Sequence, residues 1–317
     1  MSKIIRIGTR DSQLAVWQAT LVQELLEKTG VASELVYIKS EGDIDTVTPL
    51  YAIGVTGVFT KTLDAALLNN RIDIAVHSMK DVPVQLASGI CQAAVLERAS
   101  HKDIFVPHPD VKDVQAFFSD NVENSIIATS SIRRIAQWKN RFRHHTIENL
   151  RGNVNTRLRK LKESNWSGAI FAAAGLERIG LRPSNAVDLD WMLPAPAQGA
   201  IMIVCRDNDD ASFEACLPLN HEETALCTKI ERDFLSGLMG GCSTPISALA
   251  EVKNGQVEFR GNITTPDGVY SVNSTASSPI KEAVDLGIKQ AEFIIELPGN
   301  SEIRHLINKR AARDGEV

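Results

Sequence analysis

The sequence predicts an α/β fold, with two α/β lobes followed by a small α+β domain. Three observations predict it. Short apolar runs alternate with amphipathic helical patterns, that rhythm restarts near residue 125, and past residue 220 it gives way to short strands divided by turn signals. A length of 317 residues accommodates two or three domains.

IIRIGT (4–9) reads as the first strand. Ser12 is placed to cap a helix whose apolar face is Leu14, Trp17, Leu21 and Leu25, at three- and four-residue steps. ELVYIKS (34–40) is a second strand, residues 59–69 a helix, and IDIAV (72–76) a third strand. In the second round SIIATS, TIENL and GAIFAAAG are strands, and SIRRIAQWKNRF and VNTRLRKLKES are helices. A short echo links the rounds: Ile7-Gly8-Thr9 with Trp17, then Ile127-Ala128-Thr129 with Trp138. RASHKD (98–103) and PAPAQGA (194–200) are candidate crossovers between lobes, and AIMIVC (200–205) is a strand able to return to the first sheet. A helix over about 222–238 opens the last domain. Asn254-Gly255 and Pro266-Asp267-Gly268 mark its turns, and a helix over about 279–297 closes it. The expected division is 1–98 with 200–217, then 104–195, then 222–305, with 306–317 a polar tail that frays.

Hydrophobic residues at 44% and charged residues at 23% exclude a disordered or fibrous chain. No apolar run approaches the roughly 18 residues of a bilayer span, and the N-terminus lacks the apolar core of a secretory signal. Five cysteines without a CxxC pair fit a reducing compartment, so a cytoplasmic location is expected, with no membrane partner. The formal charge of −5 gives no general reason for nucleic-acid binding. A monomer is expected, since no exposed apolar stripe stands out.

The charge is unevenly placed. Residues 131–162 hold ten Lys or Arg against Glu148 alone, a local balance of +9 that leaves −14 elsewhere. Charge runs are commonly solvated faces. Here, however, Ser130, Ser131, Arg133 and Arg134 sit where a strand becomes a helix, as do Arg151, Asn153, Thr156 and Arg157. Arg178 follows another strand, and Arg10 with Ser12 follow the first. Strand ends of α/β sheets and helix N-termini bind anions, and arginine forks suit carboxylates. A cleft for a ligand with several negative groups follows. Phosphate loops of the GxxxxGK[ST] or GxGxxG kind are absent from the sequence.

Lys80-Asp81 lies in a strand-end loop, a place for a working carboxylate or for an Asx turn. His77 and Ser78 are neighbours on a strand and point to opposite faces, which argues against a catalytic pair. Cys242, in Met239-Gly240-Gly241-Cys242-Ser243-Thr244-Pro245, suits a thiol displayed from a loop. Cys91, Cys205, Cys216 and Cys227 read as small core residues.

The stretches IGTRDSQLAVWQA, DIAVHSMKDVP, ATSSIRR, LRGNVNTR, AAGLERIG, LPAPAQGA and GGCSTP, in this order, resemble the porphobilinogen deaminase (hydroxymethylbilane synthase) family. The resemblance implies two periplasmic-binding-protein-like lobes plus a third domain. It implies a transferase of tetrapyrrole synthesis that condenses four porphobilinogen molecules head to tail, loses ammonia at each step and releases hydroxymethylbilane by hydrolysis. It implies one covalent dipyrromethane cofactor per chain, held by Cys242, with Lys80, Asp81, Ser131, Arg133, Arg134, Arg151 and Asn153 around it. Arg10, Ser12, Phe59, Arg151, Arg157, Arg178 and Gln198 are implied for substrate, and Asp81 as the catalytic carboxylate, with no metal. The chain departs from the family pattern at Ala52, Val55 and Thr56, where basic residues or glycine are usual. Two rival classes share parts of the pattern: a non-catalytic two-lobed receptor for a small polycarboxylate, and a nucleic-acid binder using 131–162.

Overall fold

Ser12 starts the first helix as expected. In the computed structural model, which describes residues 3–39, 60–119, 125–239, 244–299 and 301–314, β1 (Ile5–Thr9) runs into α1 (Gln13–Lys28), and the Ser12 hydroxyl accepts the Ala15 N–H at 3.4 Å. The buried face of α1 is Gln18, Ala19, Val22 and Leu26, rotated from the expected stripe. Small side chains let this face sit close on the sheet. Leu21 and Leu25 pack at its margin and Trp17 is exposed.

The chain continues through β2 (Ser33–Tyr37), α2 (Lys61–Leu68), β3 (Ile74–Ser78) and β4 (Ile90–Val95), then crosses to the second lobe. There it forms β5 (Asp103–Pro107), α3 (Val114–Ser119), β6 (Ile126–Ala128), α4 (Ile132–Arg141) and β7 (Thr146–Glu148). α5 (Val154–Glu163), β8 (Gly168–Ala172), α6 (Ala173–Glu177) and β9 (Val187–Asp188) complete that lobe. A second crossover returns the chain to the first sheet as β10 (Ile201–Arg206), followed by α7 (Asp210–Cys216).

The two sheets have one plan. The first has the order β2-β1-β3-β10-β4, and the second β7-β6-β8-β5-β9. In each, three parallel strands meet a strand that is antiparallel to both its neighbours, β10 in one and β5 in the other. The echo between the two rounds of sequence is thus an echo of topology. Each strand of this antiparallel kind is joined to a crossover, so the lobes exchange chain twice.

Several boundaries differ from expectation; the closing helix, expected from about 279, begins at Leu286 after a 3-10 stretch over Ile280–Asp285. β3 begins at Ile74 rather than 72; Asp73 just before it donates its backbone N–H to the Arg6 carbonyl at 2.9 Å while its side chain takes the Arg6 N–H and Nε. The run GAIFAAAG is strand only to Ala172, after which the alanines start α6. Residues 306–314, expected to fray, belong to α10 (Ser301–Asp314), whose Ile303 and Ile307 enter the core of the third domain.

That domain is α8 (Glu222–Gly237), the antiparallel meander β11 (Ile246–Lys253), β12 (Gln256–Thr264) and β13 (Ser271–Pro279), then α9 (Leu286–Glu296) and α10. Phe234 of α8 meets Phe259 of β12 edge-on at 5.1 Å in its centre.

At the pole of the first lobe away from the β3 carboxyl end, Asp73 is fully buried. It accepts from the Arg6 backbone at 3.0 Å, Arg6 Nε at 2.9 Å, Lys3 Nζ at 2.8 Å and Arg206 Nη2 at 3.2 Å. Burial alone would raise its pKa. The bonds from Arg6 and Lys3 reverse this and hold the carboxyl well below the usual range. Its folded-state pKa is depressed, so the stability it contributes is present above the unfolded carboxylate pKa and is lost as pH falls through the folded one. Asp73→Asn is expected to cost about 2–3 kcal/mol in urea unfolding at neutral pH, the scale by which a depressed carboxylate pKa stabilises a fold, and to flatten the acid limb of the stability profile. An unchanged midpoint would show the network to be ornamental.

Candidate active site

The carboxyl ends of the parallel strands deliver the polar residues. β1 ends at Arg10 and Ser12, and β3 runs into a 3-10 turn, Met79–Asp81, that carries Lys80 and Asp81. In the second lobe β6 leads to Ser131 and α4, β7 to Arg151 and α5, and β8 through α6 to Arg178. Asn153 caps α5, its Oδ1 accepting the Thr156 N–H at 2.9 Å. Ser131 precedes α4 without a side-chain cap bond, which leaves its hydroxyl outside the helix's own bonding.

Asp103, the first residue of β5, lies at the centre of the cations. It is fully buried. Arg134 donates to its Oδ1 from Nε at 3.0 Å and from Nη2 at 2.7 Å, and Arg133 Nη1 stands 2.7 Å from its Oδ2. Gln198 Nε2 donates to Asp103 Oδ1 at 3.0 Å, while Gln198 Oε1 accepts from Lys80 Nζ at 3.3 Å. Gln198 therefore bridges the lobes from the second crossover.

Burial lowers the Lys80 pKa to about 8. Asp81 and Asp103 oppose that shift, while Arg134 and Arg133 add to it. Burial also lowers Arg157 to about 10, with Arg134 and Arg151 adding and Asp81 opposing. Asp103 itself sits far below the usual carboxylate range, because Arg133 and Arg134 more than reverse the effect of burial. The Lys80–Gln198–Asp103 contacts bring the Lys80 turn of one lobe to Arg133 and Arg134 of the other, and Arg151 and Arg157 lie within electrostatic reach of the same group.

Other predicted residues stand at the margin. Arg178 donates to the Gly199 carbonyl at 2.7 Å and lies 5.8 Å from the Trp17 ring, so it spans the lobes. Arg10 acts on His77, whose pKa falls to about 4 through burial and then that cation. Ser78 bonds Gln18 rather than His77, as the opposite-face argument expected. Phe59 and Cys242 lie outside the described residues, as do Ala52, Val55 and Thr56.

The elements flanking residue 242 are nonetheless tied to the cluster. Arg232 of α8, upstream, donates to the carbonyls of Val82 at 2.9 Å, Pro83 at 2.5 Å and Val84 at 3.1 Å, just past Asp81. Ser247 of β11, downstream, accepts from Gln137 Nε2 at 2.9 Å, one turn along α4 from Arg133. Residues 240–243 thus connect an element bonded to the Asp81 turn with one bonded to the arginine helix.

Glu231, fully buried on the same helix, takes Arg98 Nη1 at 2.5 Å and Nη2 at 3.1 Å, together with the Ala197 N–H at 2.6 Å and the Ala250 N–H at 2.8 Å. One carboxylate so joins both crossovers to the third domain. Between them Ala197 holds a left-handed φ of 61°. Gly199 has φ 91°, and a Cβ there would meet the Ala99 and Ser100 carbonyls at 2.7 Å, so only glycine lets the two crossovers touch.

Sequence reasoning missed Asp103, Arg98, Glu231 and Arg232. Two surface cavities, of about 520 Å³ beside Glu251 and Arg260 and about 440 Å³ beside Tyr37 and Arg71, lie away from the cation cluster. Among the described residues no group of three or more His, Cys, Asp or Glu could hold a metal, and no helix is long and apolar enough to cross a membrane.

Two family models match the chain. Residues 5–214 match "Porphobilinogen deaminase, dipyromethane cofactor binding domain", and residues 225–296 match "Porphobilinogen deaminase, C-terminal domain". The chain belongs to the porphobilinogen deaminase family. Its two α/β lobes with one sheet plan and its small third sheet domain agree with the division into three domains that the resemblance implied. The family's cofactor is dipyrromethane, and the first match is the domain that binds it.

The donor set present fits such a polycarboxylate. Lys80, Arg133, Arg134, Arg151 and Arg157 outnumber Asp81 and Asp103, and Arg133 Nε is buried with no partner in the protein. Solved structures similar to this chain include the periplasmic VFT2 domain of BvgS from Bordetella pertussis, 12% identical over 70% of this chain and 90% of that one, with a TM-score of 0.41. A YaeC-family lipoprotein from Enterococcus faecalis is 14% identical over 71% and 94%, with a TM-score of 0.42.

Proposed function

We propose that this transferase-family chain is a porphobilinogen deaminase that adds four porphobilinogen units in turn, loses ammonia at each addition and releases hydroxymethylbilane by hydrolysis. The observation that carries the reading is the placing of Asp81 among Lys80, Arg157 and the Asp103-anchored arginines.

Each porphobilinogen brings an acetate and a propionate, so a growing chain adds two negative charges per unit. Lys80, Ser131, Arg133, Arg134, Arg151 and Asn153 hold cofactor carboxylates, and Arg10, Ser12, Phe59, Arg151, Arg157, Arg178 and Gln198 receive or frame those of the substrate. Guanidinium forks suit the task because they meet carboxylates with paired N–H donors. Dipyrromethane, when bound, supplies the free pyrrole α-carbon on which units are added. Asp81 accepts pyrrole N–H bonds and counters the positive charge that develops on the substrate ring as ammonia departs. Its exposure, beside a cluster whose ionic groups are mostly cations, leaves it open to that ring. Cys242 is the point of covalent attachment, through a C–S bond made as its thiol adds and ammonia is lost.

Mass spectrometry of the purified protein tests the reading. Excess mass equal to two substrate units less the ammonia lost is expected on the tryptic peptide holding Cys242, and is expected to vanish in Cys242→Ser together with activity. An unmodified chain that still makes hydroxymethylbilane rejects the cofactor assignment. A chain that binds porphobilinogen without turnover is a receptor instead.

A further inference from the structure

Three cations converge on one internal carboxylate before any ligand is considered. Arg133 and Arg134 both reach Asp103, Gln198 links Asp103 to Lys80, and Asp103 is fully buried. We propose that Asp103 is a positioning residue: a built-in counter-carboxylate that fixes the Arg133 and Arg134 forks and supplies Lys80 with its counter-charge. This rests on the reading that those cations hold ligand carboxylates.

The geometry supports it in two ways. Arg134 uses Nε and Nη2 on Asp103 and Nη1 on the Ile170 carbonyl, so its plane is set by the protein. Arg133 Nη1 is shared between Asp103 and the Leu193 carbonyl at 2.6 Å, while its Nε is left buried and unpaired. A fixed fork with an open donor is the arrangement that receives a carboxylate at low ordering cost. Asp103 also stands at the first crossover and Gln198 on the second, so the same contact registers one lobe against the other.

Lys80 is faced by Asp81 on its own turn, Arg133 and Arg134 from α4, Asp103 from β5 and Gln198 from the second crossover. The two arginines and burial work against its charge, and Asp81 and Asp103 work for it. Neutralising Asp103 leaves three close cations with Asp81 as the sole acid among these groups.

Competitive acetylation with acetic anhydride, followed by peptide mass analysis, reads the Lys80 titration without reference to turnover. In the wild-type chain a midpoint near 8 is expected, and it is the reference for the variants. In Asp103→Asn the midpoint is expected to fall by about one unit, the alkaline limb of kcat/KM to fall with it, and the share of chains carrying covalent cofactor to drop several-fold. A folded variant with the wild-type midpoint and full loading overturns it. Should Asp103→Asn fail to fold, Asp103→Glu keeps the charge but displaces the carboxylate by about one methylene. It is expected to hold the wild-type midpoint and to raise KM several-fold, and a wild-type KM overturns the proposal. The mass of the wild-type Cys242 peptide separates the two readings: if it is unmodified, the family chemistry fails, whereas the Lys80 midpoint still judges Asp103.

Discussion

Asp81→Ala is expected to lower kcat by about 10²–10³-fold, the scale of losing one preorganised electrostatic contact to developing charge. The melting temperature is expected to stay within about 1 °C of wild type, since Asp81 is exposed and surface substitutions cost little. The turn that carries it does not depend on its side chain. Met79 is buried beneath, the Val82 N–H bonds the Met79 carbonyl at 3.1 Å, and Arg232 holds the carbonyls that follow. Asp81→Asn separates charge from shape: an acceptor oxygen remains but the negative charge is gone, so its loss of kcat should approach that of alanine if charge is the main term. KM should change less than kcat in both, because Lys80 and Arg157 still hold carboxylates. Single-turnover ammonia release is the direct measurement. Near-normal release from either variant removes Asp81 from the chemistry.

The cations of this cluster were legible in the sequence because charge is carried by composition alone: ten basic residues against one acid in a 32-residue stretch need no fold to be noticed. Their counter-ion was not. Asp103 in RASHKD looks like any acid in a polar connector, and only the crossover brings it to Arg133 and Arg134, some 30 residues on. Arg232 and Glu231 were hidden differently. They lie between Lys229 and Asp233 in a run of charges that carries no mark of burial, yet both are buried because α8 packs between the lobes and the third sheet.

The fold was legible where a face repeats and illegible where it does not. β4 and β5, ICQAAV and DIFVP, the second buried throughout and the first all but Cys91 and Gln92, are too short for periodicity to separate from a loop or a buried helix. α10 did carry a signal: Ile303, Leu306 and Ile307 fall at helical spacing, but the surrounding charges outweighed it. The buried face of α1, Gln18, Ala19, Val22 and Leu26, mixes polar, small and large side chains, so the stripe of Leu and Trp at helical spacing does not coincide with it.

Glu231→Ala is expected to cost about 3–5 kcal/mol, the loss typical of removing one partner from a buried ion pair. Four donors lose their acceptor at once: two from Arg98 and the N–H groups of Ala197 and Ala250. The Arg98 side chain is only 12% exposed, so water cannot fully replace the carboxylate. Ala197 is then released from the contact that helps hold its left-handed backbone, and the second crossover loosens. Urea unfolding followed by tryptophan fluorescence measures the loss, and limited proteolysis within 192–199 measures the loosening. Glu231→Gln retains one acceptor oxygen and should lose less than alanine. Arg98→Ala should lose about as much as Glu231→Ala, since it leaves the fully buried Glu231 carboxylate without its counter-ion and removes the Arg98 bond to the Gln198 carbonyl. Two large losses with a smaller one for Glu231→Gln are what a carboxylate clamping both crossovers requires. A simple surface pair would give three small and equal losses.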